Sequence, residues 1–114
     1  KKVDGFVFPT DNVVVAGMAV VLRTTVPAHQ VTVSGDMGSL AAGCTAAMTV
    51  DYYKLGLQAA QLGADILEGR TTAAETPIGV QDVKNPTFNV TAMKRLGLEI
   101  PEDLKAGALL WQKK

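Results

Sequence analysis

The fold of this chain is constrained most strongly by two short strand-like segments. An apolar segment of helix length lies between them. Val3–Phe8 is rich in valine and phenylalanine and stops at Pro9, and Val31–Val33 is short and β-branched. The segment between them, Asn12–Arg23, is apolar and long enough to return the chain as a helix. Because a crossover helix joins two strands in parallel, we predict an α/β fold with a three-layer, mostly parallel sheet and flanking helices.

The clearest helix of the chain is predicted over Tyr52–Glu68. Its apolar side chains recur three or four residues apart, the spacing of one helical face, at Tyr52, Leu55, Ala59, Leu62 and Ile66. Asp51 precedes the segment as the expected N-cap, and Gly69 follows it as the expected C-cap. The helix therefore has an apolar face that needs a partner.

Shorter signals predict further elements. We expect strands over Thr45–Val50 and Pro77–Val83, the latter in one sheet with the first two strands. Ser39–Ala42 is predicted as a helical turn, and Val90–Leu96 as a short helix that Gly97 ends.

The C-terminal region carries weaker signals. Pro86–Asn89 is expected to be extended or a turn. Pro101 is expected to open a last helix from its first turn, and Trp111 to pack against that helix as an anchor. A C-terminal helix is therefore expected to flank the sheet.

The composition is that of a globular chain without a surplus of either charge. The 114 residues fit one domain of roughly 50–200 residues. Eleven Lys and Arg residues balance eleven Asp and Glu residues. A nucleic-acid binder needs a basic surplus to neutralise phosphates, so we expect no nucleic-acid partner. The longest apolar run, Val13–Leu22, is about half of the ~20 residues that cross a bilayer. Lys1–Gly5 does not have the pattern of a signal peptide, since no apolar segment follows the two lysines.

Polar segments follow the predicted strands at three places. In parallel sheets, ligands bind beyond the carboxyl ends of the strands, often at helix N-termini. The three segments therefore predict a ligand-binding face, although they do not name the ligand. The candidate ligand-binding residues are Thr10, Asp11, Asn12, Ser34, Asp36, Asp51 and Tyr52.

Each candidate has an alternative, purely structural role. Asp11 is expected equally as a helix cap and as a ligand contact, and Ser34 equally as a ligand donor and as a turn cap. For Asp36 we favour the ligand contact over a solvated loop acid. For Asp51 and Tyr52 we favour a helix cap and a core aromatic, with contact to an aromatic ligand as the alternative.

The chain lacks the motifs of an enzyme or a metalloprotein. His29 and Cys44 are its only histidine and cysteine, which are too few for a metal site, and one cysteine cannot form an intramolecular disulfide. No nucleophile elbow is present, and Gly35–Gly38 lacks the Gly-Lys-Ser/Thr ending of a phosphate loop. We therefore predict no catalytic residues, no metal and no cofactor.

Three internal segments and the tail resemble one protein family. Val7–Asn12, Val33–Asp36, Val50–Gly56 and Asn89–Glu102 are similar, in order and spacing, to segments of the substrate-binding proteins of ABC importers. The branch that they resemble is the one associated with tryptophan, tyrosine and related amino acids. The likeness covers nearly the whole chain and implies a lobe of the type I periplasmic-binding-protein fold.

The resemblance also implies that the chain is the C-terminal part of an incomplete two-lobe protein. Residues 1–50 and 77–114 are then expected in the second lobe, and the crossover helix within residues 51–76 in the first. The missing first lobe, or a second copy of the chain, is expected to cover that helix.

In this family a small molecule binds in the cleft between the lobes, and an ABC permease is the membrane partner. The resemblance implies an amino-acid ligand, with aromatic ones among the candidates, and an extracytoplasmic location in the periplasm or as a lipoprotein. It places Thr10 and Asp11 at the cleft wall, where a carboxylate can pair with the ligand's ammonium group. It also gives Asp36 the role of the acid that contacts a hydroxyl or ammonium group of the ligand. The alternatives are the effector-binding core of a LacI-like transcription regulator, a sugar-binding protein or a free-standing interaction domain.

Overall fold

The computed structural model of the chain describes residues 3–83 and 85–112. The chain divides into two units, one formed by Lys1–Thr49 with Lys84–Lys114 and the other by Val50–Val83. Within the described residues, no helix combines the length and the apolar character that a membrane crossing requires.

The larger unit alternates strands and helices. It contains β1 (Gly5–Phe8), α1 (Asn12–Thr25), β2 (Val31–Ser34), α2 (Met37–Ala42), β3 (Ala46–Ala47), β4 (Thr87–Asn89), α4 (Val90–Leu96), α5 (Glu102–Lys105) and β5 (Leu109–Trp111). The smaller unit contains the helix α3 (Tyr52–Leu67). The predicted helices after Asn12 and Tyr52 and the first two predicted strands are thereby confirmed, with small changes in their ends.

The sheet has five strands in the order β1-β2-β3-β4-β5. β1 pairs in parallel with β2, and β2 with β3, so that Phe8 lies beside Ser34 and Val33 beside Ala46. β4 is antiparallel to β3 and parallel to β5. The predicted mostly parallel sheet with flanking helices is confirmed.

The core is small and divides into two clusters. Met18 and Cys44 are fully buried beside Leu22, and Cys44 Sγ lies 3.4 Å from Met18 Sδ. The second cluster joins Phe88 of β4 to Met93 of α4. Burial of each large side chain contributes about 1.5–3 kcal/mol, so these two clusters fix α1 and α4 to the sheet.

The predicted strand Pro77–Val83 is wrong. The structure has no strand there, and Ile78 and Val80 are 92% and 82% exposed. The segment lies in the smaller unit, where the Gln81 side chain accepts from Asp51 N at 3.1 Å and donates to Asp51 O at 3.0 Å. The strand beside β3 is β4 instead, within a segment that we expected to be extended or a turn. Alternating apolar residues form a strand only where a neighbouring strand is available to pair with them.

Other predicted bounds also change. The strand expected over Thr45–Val50 pairs only at Ala46 and Ala47. Trp111 lies in β5, where its backbone pairs beside Asn89, and its packing against the last helix stays a prediction. A three-residue strand is too short to show periodicity, so no sequence pattern indicated it.

Two helix ends differ by one position. Pro101 is the N-cap of α5 and not its first helical residue. Glu68 is the C-cap of α3, and Gly69 follows it with a left-handed φ of 72°. Glycine adopts that conformation without the steric cost of a Cβ.

Taken by itself, the smaller unit leaves its helix largely uncovered. None of the residues of α3, all of which are described, is buried. At its end, Arg70 donates to Asp65 at 2.8 Å and also bonds Glu68, and the Arg70 hydrogen bond lowers the pKa of Asp65. Specific polar contacts thus define the end of a helix whose apolar face is only partly covered, with Leu55, Leu62 and Ile66 half-buried.

Candidate ligand-binding edge

The loops after β1 and β2 lie side by side because the two strands are parallel and in register. The Thr10 hydroxyl donates a hydrogen bond to Gly35 O at 2.9 Å. In the other direction, Gly35 N donates to Phe8 O at 3.0 Å. The two loops therefore form one polar edge at the carboxyl ends of these strands, as the sequence predicted.

Gly35 permits this close approach. A Cβ at this position would lie 2.7 Å from Thr10 Oγ1 and 3.1 Å from Thr10 N. The first distance is shorter than a Cβ tolerates and the second is unusually short, so a side chain at this position would require the loops to shift. Close backbone approach is one of the roles that glycine alone performs without cost.

Asp11 caps α1 with one carboxylate oxygen and leaves the other available for a ligand. Its Oδ1 accepts from Val13 N at 2.8 Å and from Val14 N at 3.0 Å. Its Oδ2 accepts no hydrogen bond from the part of the chain that the structure describes. The side chain is exposed, so the helix-cap role is confirmed and leaves room for a ligand contact.

Asp36 is held inside the edge. It is only 7% exposed, which makes the alternative of a solvated loop acid wrong. Its Oδ1 accepts from Ser39 N at 2.7 Å and its Oδ2 from Ser39 Oγ at 2.8 Å. Asp36 therefore caps α2 with both oxygens engaged, although each carboxylate oxygen can accept a second hydrogen bond.

Ser34 and Asn12 complete the edge. The Ser34 hydroxyl is buried and donates to Asp36 O at 3.0 Å, so the turn-capping role is confirmed. Asn12 is the first residue of α1 and is exposed. The structure thus brings Thr10, Asp11, Asn12, Ser34 and Asp36 together at one edge.

Ser39 was missed by sequence reasoning. It is fully buried and supplies both partners of the Asp36 carboxylate. The sequence does contain a signal for it, since aspartate is a common N-cap and a serine three residues later is placed to meet the capping side chain.

Asp51 and Tyr52 belong to the smaller unit. Asp51 caps α3 by accepting from Tyr53 N at 3.0 Å and Lys54 N at 3.1 Å, as predicted. Tyr52 is 61% exposed, so its interpretation as a core aromatic is wrong for the described chain. Aromatic surface of this size is available for contact with a ligand or a covering partner.

The described residues contain no group of three or more His, Cys, Asp or Glu side chains that could hold a metal ion. Burial raises the pKa of the Cys44 thiol, which keeps it protonated at neutral pH and unsuited to act as a nucleophile. What the edge offers chemically is a set of hydrogen-bond acceptors, suited to binding.

The sequence matches a family model described as ABC transporter substrate binding protein over residues 1–110. The chain belongs to this family, which is a substrate-binding class of proteins. Among curated relatives it is 29% identical over 98 residues to the tyrosine-binding protein of Clostridioides difficile strain R20291. That alignment covers 86% of this chain and 28% of the relative, so the chain spans little more than a quarter of that protein.

Solved structures show the same fold. A conserved domain protein from Vibrio cholerae matches with a TM-score of 0.77 and 27% identity, covering 96% of this chain and 36% of that one. The ABC domain in complex with L-Trp from Streptococcus pneumonia matches with a TM-score of 0.79 and 24% identity, covering 96% and 37%. A ligand-free, open substrate binding protein with adhesive properties from Clostridium difficile matches with a TM-score of 0.74 and 24% identity, covering 95% and 36%. The expected periplasmic-binding-protein-like fold is confirmed, and no comparison supports the regulator alternative.

Proposed function

We propose that this chain is part of the solute-binding component of an ABC importer and binds an amino acid, with an aromatic one favoured, in a cleft between two lobes. The observation that carries the proposal is the Thr10–Gly35 hydrogen bond, which assembles two loops into one edge beside a free oxygen of Asp11. The family match supports the class of protein. The relatives named for tyrosine and crystallised with L-Trp support the class of ligand.

The chemistry of the edge favours a ligand rich in hydrogen-bond donors. Because the Thr10 proton is engaged by Gly35 O, the hydroxyl presents only lone pairs to a ligand. Asp11 adds a negative charge, and the two loops contain no Lys or Arg. An α-ammonium group satisfies both acceptors through charge-assisted hydrogen bonds, whereas a bare phosphate is repelled. We assign the ammonium contact to Asp11 and Thr10, with Asn12 beside them.

Asp36 and Ser34 support this contact from beneath. Both side chains are buried, and their hydrogen bonds hold the loop that carries Gly35. Each group also retains acceptor capacity for a further hydrogen bond.

We assign residues 1–50 and 77–114 to the second lobe and the helix within residues 51–76 to the first. The exposed Tyr52 ring then lines the cleft, where it stacks on an aromatic side chain of the ligand, with Asp51 at the same crossover. Closure of two lobes around the ligand is a hinge motion. A permease partner recognises the closed form. The protein therefore acts outside the cytoplasm, in the periplasm or anchored as a lipoprotein. Its role is binding, without enzymatic activity.

Calorimetry on the intact two-lobe protein tests the proposal. Tyrosine and tryptophan are expected to bind, and their des-amino analogues, 3-(4-hydroxyphenyl)propionate and indole-3-propionate, are expected not to bind. Asp11→Asn should weaken amino-acid binding by about tenfold or more, because the amide removes the charge and keeps the shape. Equal binding of the amino acid and its des-amino analogue would overturn the assignment of the ammonium site.

A further inference from the structure

We propose that a groove lined by Arg23 and Arg95 docks an acidic, partly apolar segment of a partner protein. The groove has a volume of about 410 Å³. Its lining residues come from α1, the turn after it, α2 and α4, and they are Ala19, Leu22, Arg23, Val26, Pro27, Ala42 and Arg95.

The two arginines carry charge that the described part of the chain does not neutralise. Neither guanidinium forms an ion pair with a described residue, and no acidic residue lines the groove. Arg95 Nη2 makes only a long contact, 3.5 Å from Gly43 O. Two like charges beside an apolar surface, without a counter-charge, favour an anionic partner.

Helix ends do not remove this charge. Arg23 lies in the last turn of α1, where a basic residue interacts favourably with the helix dipole. Arg95 likewise lies in the last turn of α4. The C-terminal ends of α1, α2 and α4 each carry at most about half a negative charge, against two full positive charges on the arginines. The groove therefore stays net positive.

The shape favours a peptide segment over a small molecule. The groove is open to solvent, so it would leave much of a small carboxylate in water, against the 70–90% burial usual for such ligands. A second cavity of about 160 Å³ shares Ala42 and Arg95 with it and is lined further along by Thr91 and Trp111. A chain segment can use both, with apolar side chains against Leu22 and carboxylates on the guanidiniums.

The groove is separate from the predicted ligand-binding edge. Asp11 begins α1 at the carboxyl end of β1, and the helix runs to Thr25 before the chain enters β2 at Val31. Arg23 therefore lies toward the amino end of the parallel strands, opposite the edge that carries Thr10. A variant can therefore lose peptide binding in the groove and keep amino-acid binding at the edge, or the reverse.

Titration of the isotope-labelled chain, followed by NMR, tests the proposal. The probe is an acetylated, amidated peptide of leucine, alanine and glutamate, and its glutamine counterpart is the control peptide. We expect the glutamate peptide to shift the amide signals of Leu22 and Ala42, and added salt to weaken it. The Arg23→Gln, Arg95→Gln double variant should bind about tenfold more weakly. Lys94→Gln is the matched control, since Lys94 precedes Arg95 but lines a different cavity, and it should bind as the parent chain does.

Several results would overturn the proposal. The glutamine peptide could bind as well as the glutamate peptide, or the double variant could bind the glutamate peptide as well as the parent chain does. Benzoate alone could also shift the same signals by the same amount, which would make the groove a small-molecule site. Competition by phosphatidylglycerol vesicles would identify a membrane surface instead. Self-association that the double variant abolishes would identify a second copy of the chain.

Discussion

The hydroxyl of Thr10 donates a hydrogen bond to the carbonyl of Gly35 across 25 positions of sequence, at 2.9 Å. This bond joins the loop that starts α1 to the loop that starts α2. It also decides what Thr10 can offer a ligand, because the donated proton leaves only acceptor lone pairs. One contact thus shapes both the geometry and the chemistry of the proposed site.

Replacing Thr10 by valine removes this bond with little change of shape. We expect Thr10→Val to lower the free energy of unfolding by about 0.5–1 kcal/mol, a small loss because the bond lies in an exposed position where water can replace it. Urea denaturation measures the change. Thr10→Ser keeps the hydroxyl and is the control that should stay closer to the parent, and a Thr10→Val chain as stable as the parent would show that the bond does not contribute.

Adding a methyl group at Gly35 should separate the two loops. We expect Gly35→Ala to destabilise the chain by about 1–3 kcal/mol, because the new Cβ would lie 2.7 Å from Thr10 Oγ1. Gly17→Ala is the matched control, since no atom lies within 4 Å of its Cβ position in α1. That change should stabilise the helix by about 0.5–1 kcal/mol. A Gly35→Ala chain as stable as the parent would contradict the close approach.

Removing the Asp36 side chain should cost stability. Asp36→Ala deprives Ser39 of the partner for both its backbone amide and its hydroxyl in a buried position. We expect a loss of about 1–3 kcal/mol in thermal or urea unfolding. Asp11→Ala removes an exposed cap and should cost less, about 1 kcal/mol. The reverse order would contradict the structural role given to Asp36.

The pKa of Cys44 makes stability depend on pH on the alkaline side. Burial raises the pKa of the folded thiol above that of the unfolded thiol, about 8.5, so the stabilising effect is complete below that value. It is lost as pH rises through the folded pKa, because the unfolded state then releases the proton more readily. Urea midpoints should therefore fall as the pH rises above about 8.5, and they should fall less in Cys44→Ala. An identical decline in the two proteins would remove Cys44 as the cause.

Under the proposed function, the 114-residue chain alone should bind amino acids poorly. Contacts from one lobe leave much of the ligand in water, whereas cleft ligands are normally 70–90% buried. Calorimetry with free tyrosine and tryptophan should give weak or undetectable heat. Micromolar or tighter affinity for the monomeric chain would contradict the need for a second lobe.

The features that the sequence predicted best are those with local causes. α1 and α3 begin where Asp11 and Asp51 cap them, since each cap bonds amides within three residues of itself. The edge of Thr10 and Asp36 was predictable because parallel strands end on the same side of a sheet. The ligand-binding roles of these residues stay a prediction, because the residue types that cap helices are also the ones that contact ligands.

The sequence by itself therefore determined the helices, the first two strands and the polar edge that follows them, through periodicity and caps that act over a few residues. Only the tertiary structure decided that Phe88 and not Ile78 joins the sheet, because strand pairing requires a partner such as Ala46, 42 positions away in the chain. It also decided that Asp36 is buried with its oxygens engaged while Asp11 keeps one oxygen free. Burial depends on which elements pack above a residue, and that is set by long-range contacts that no local pattern records.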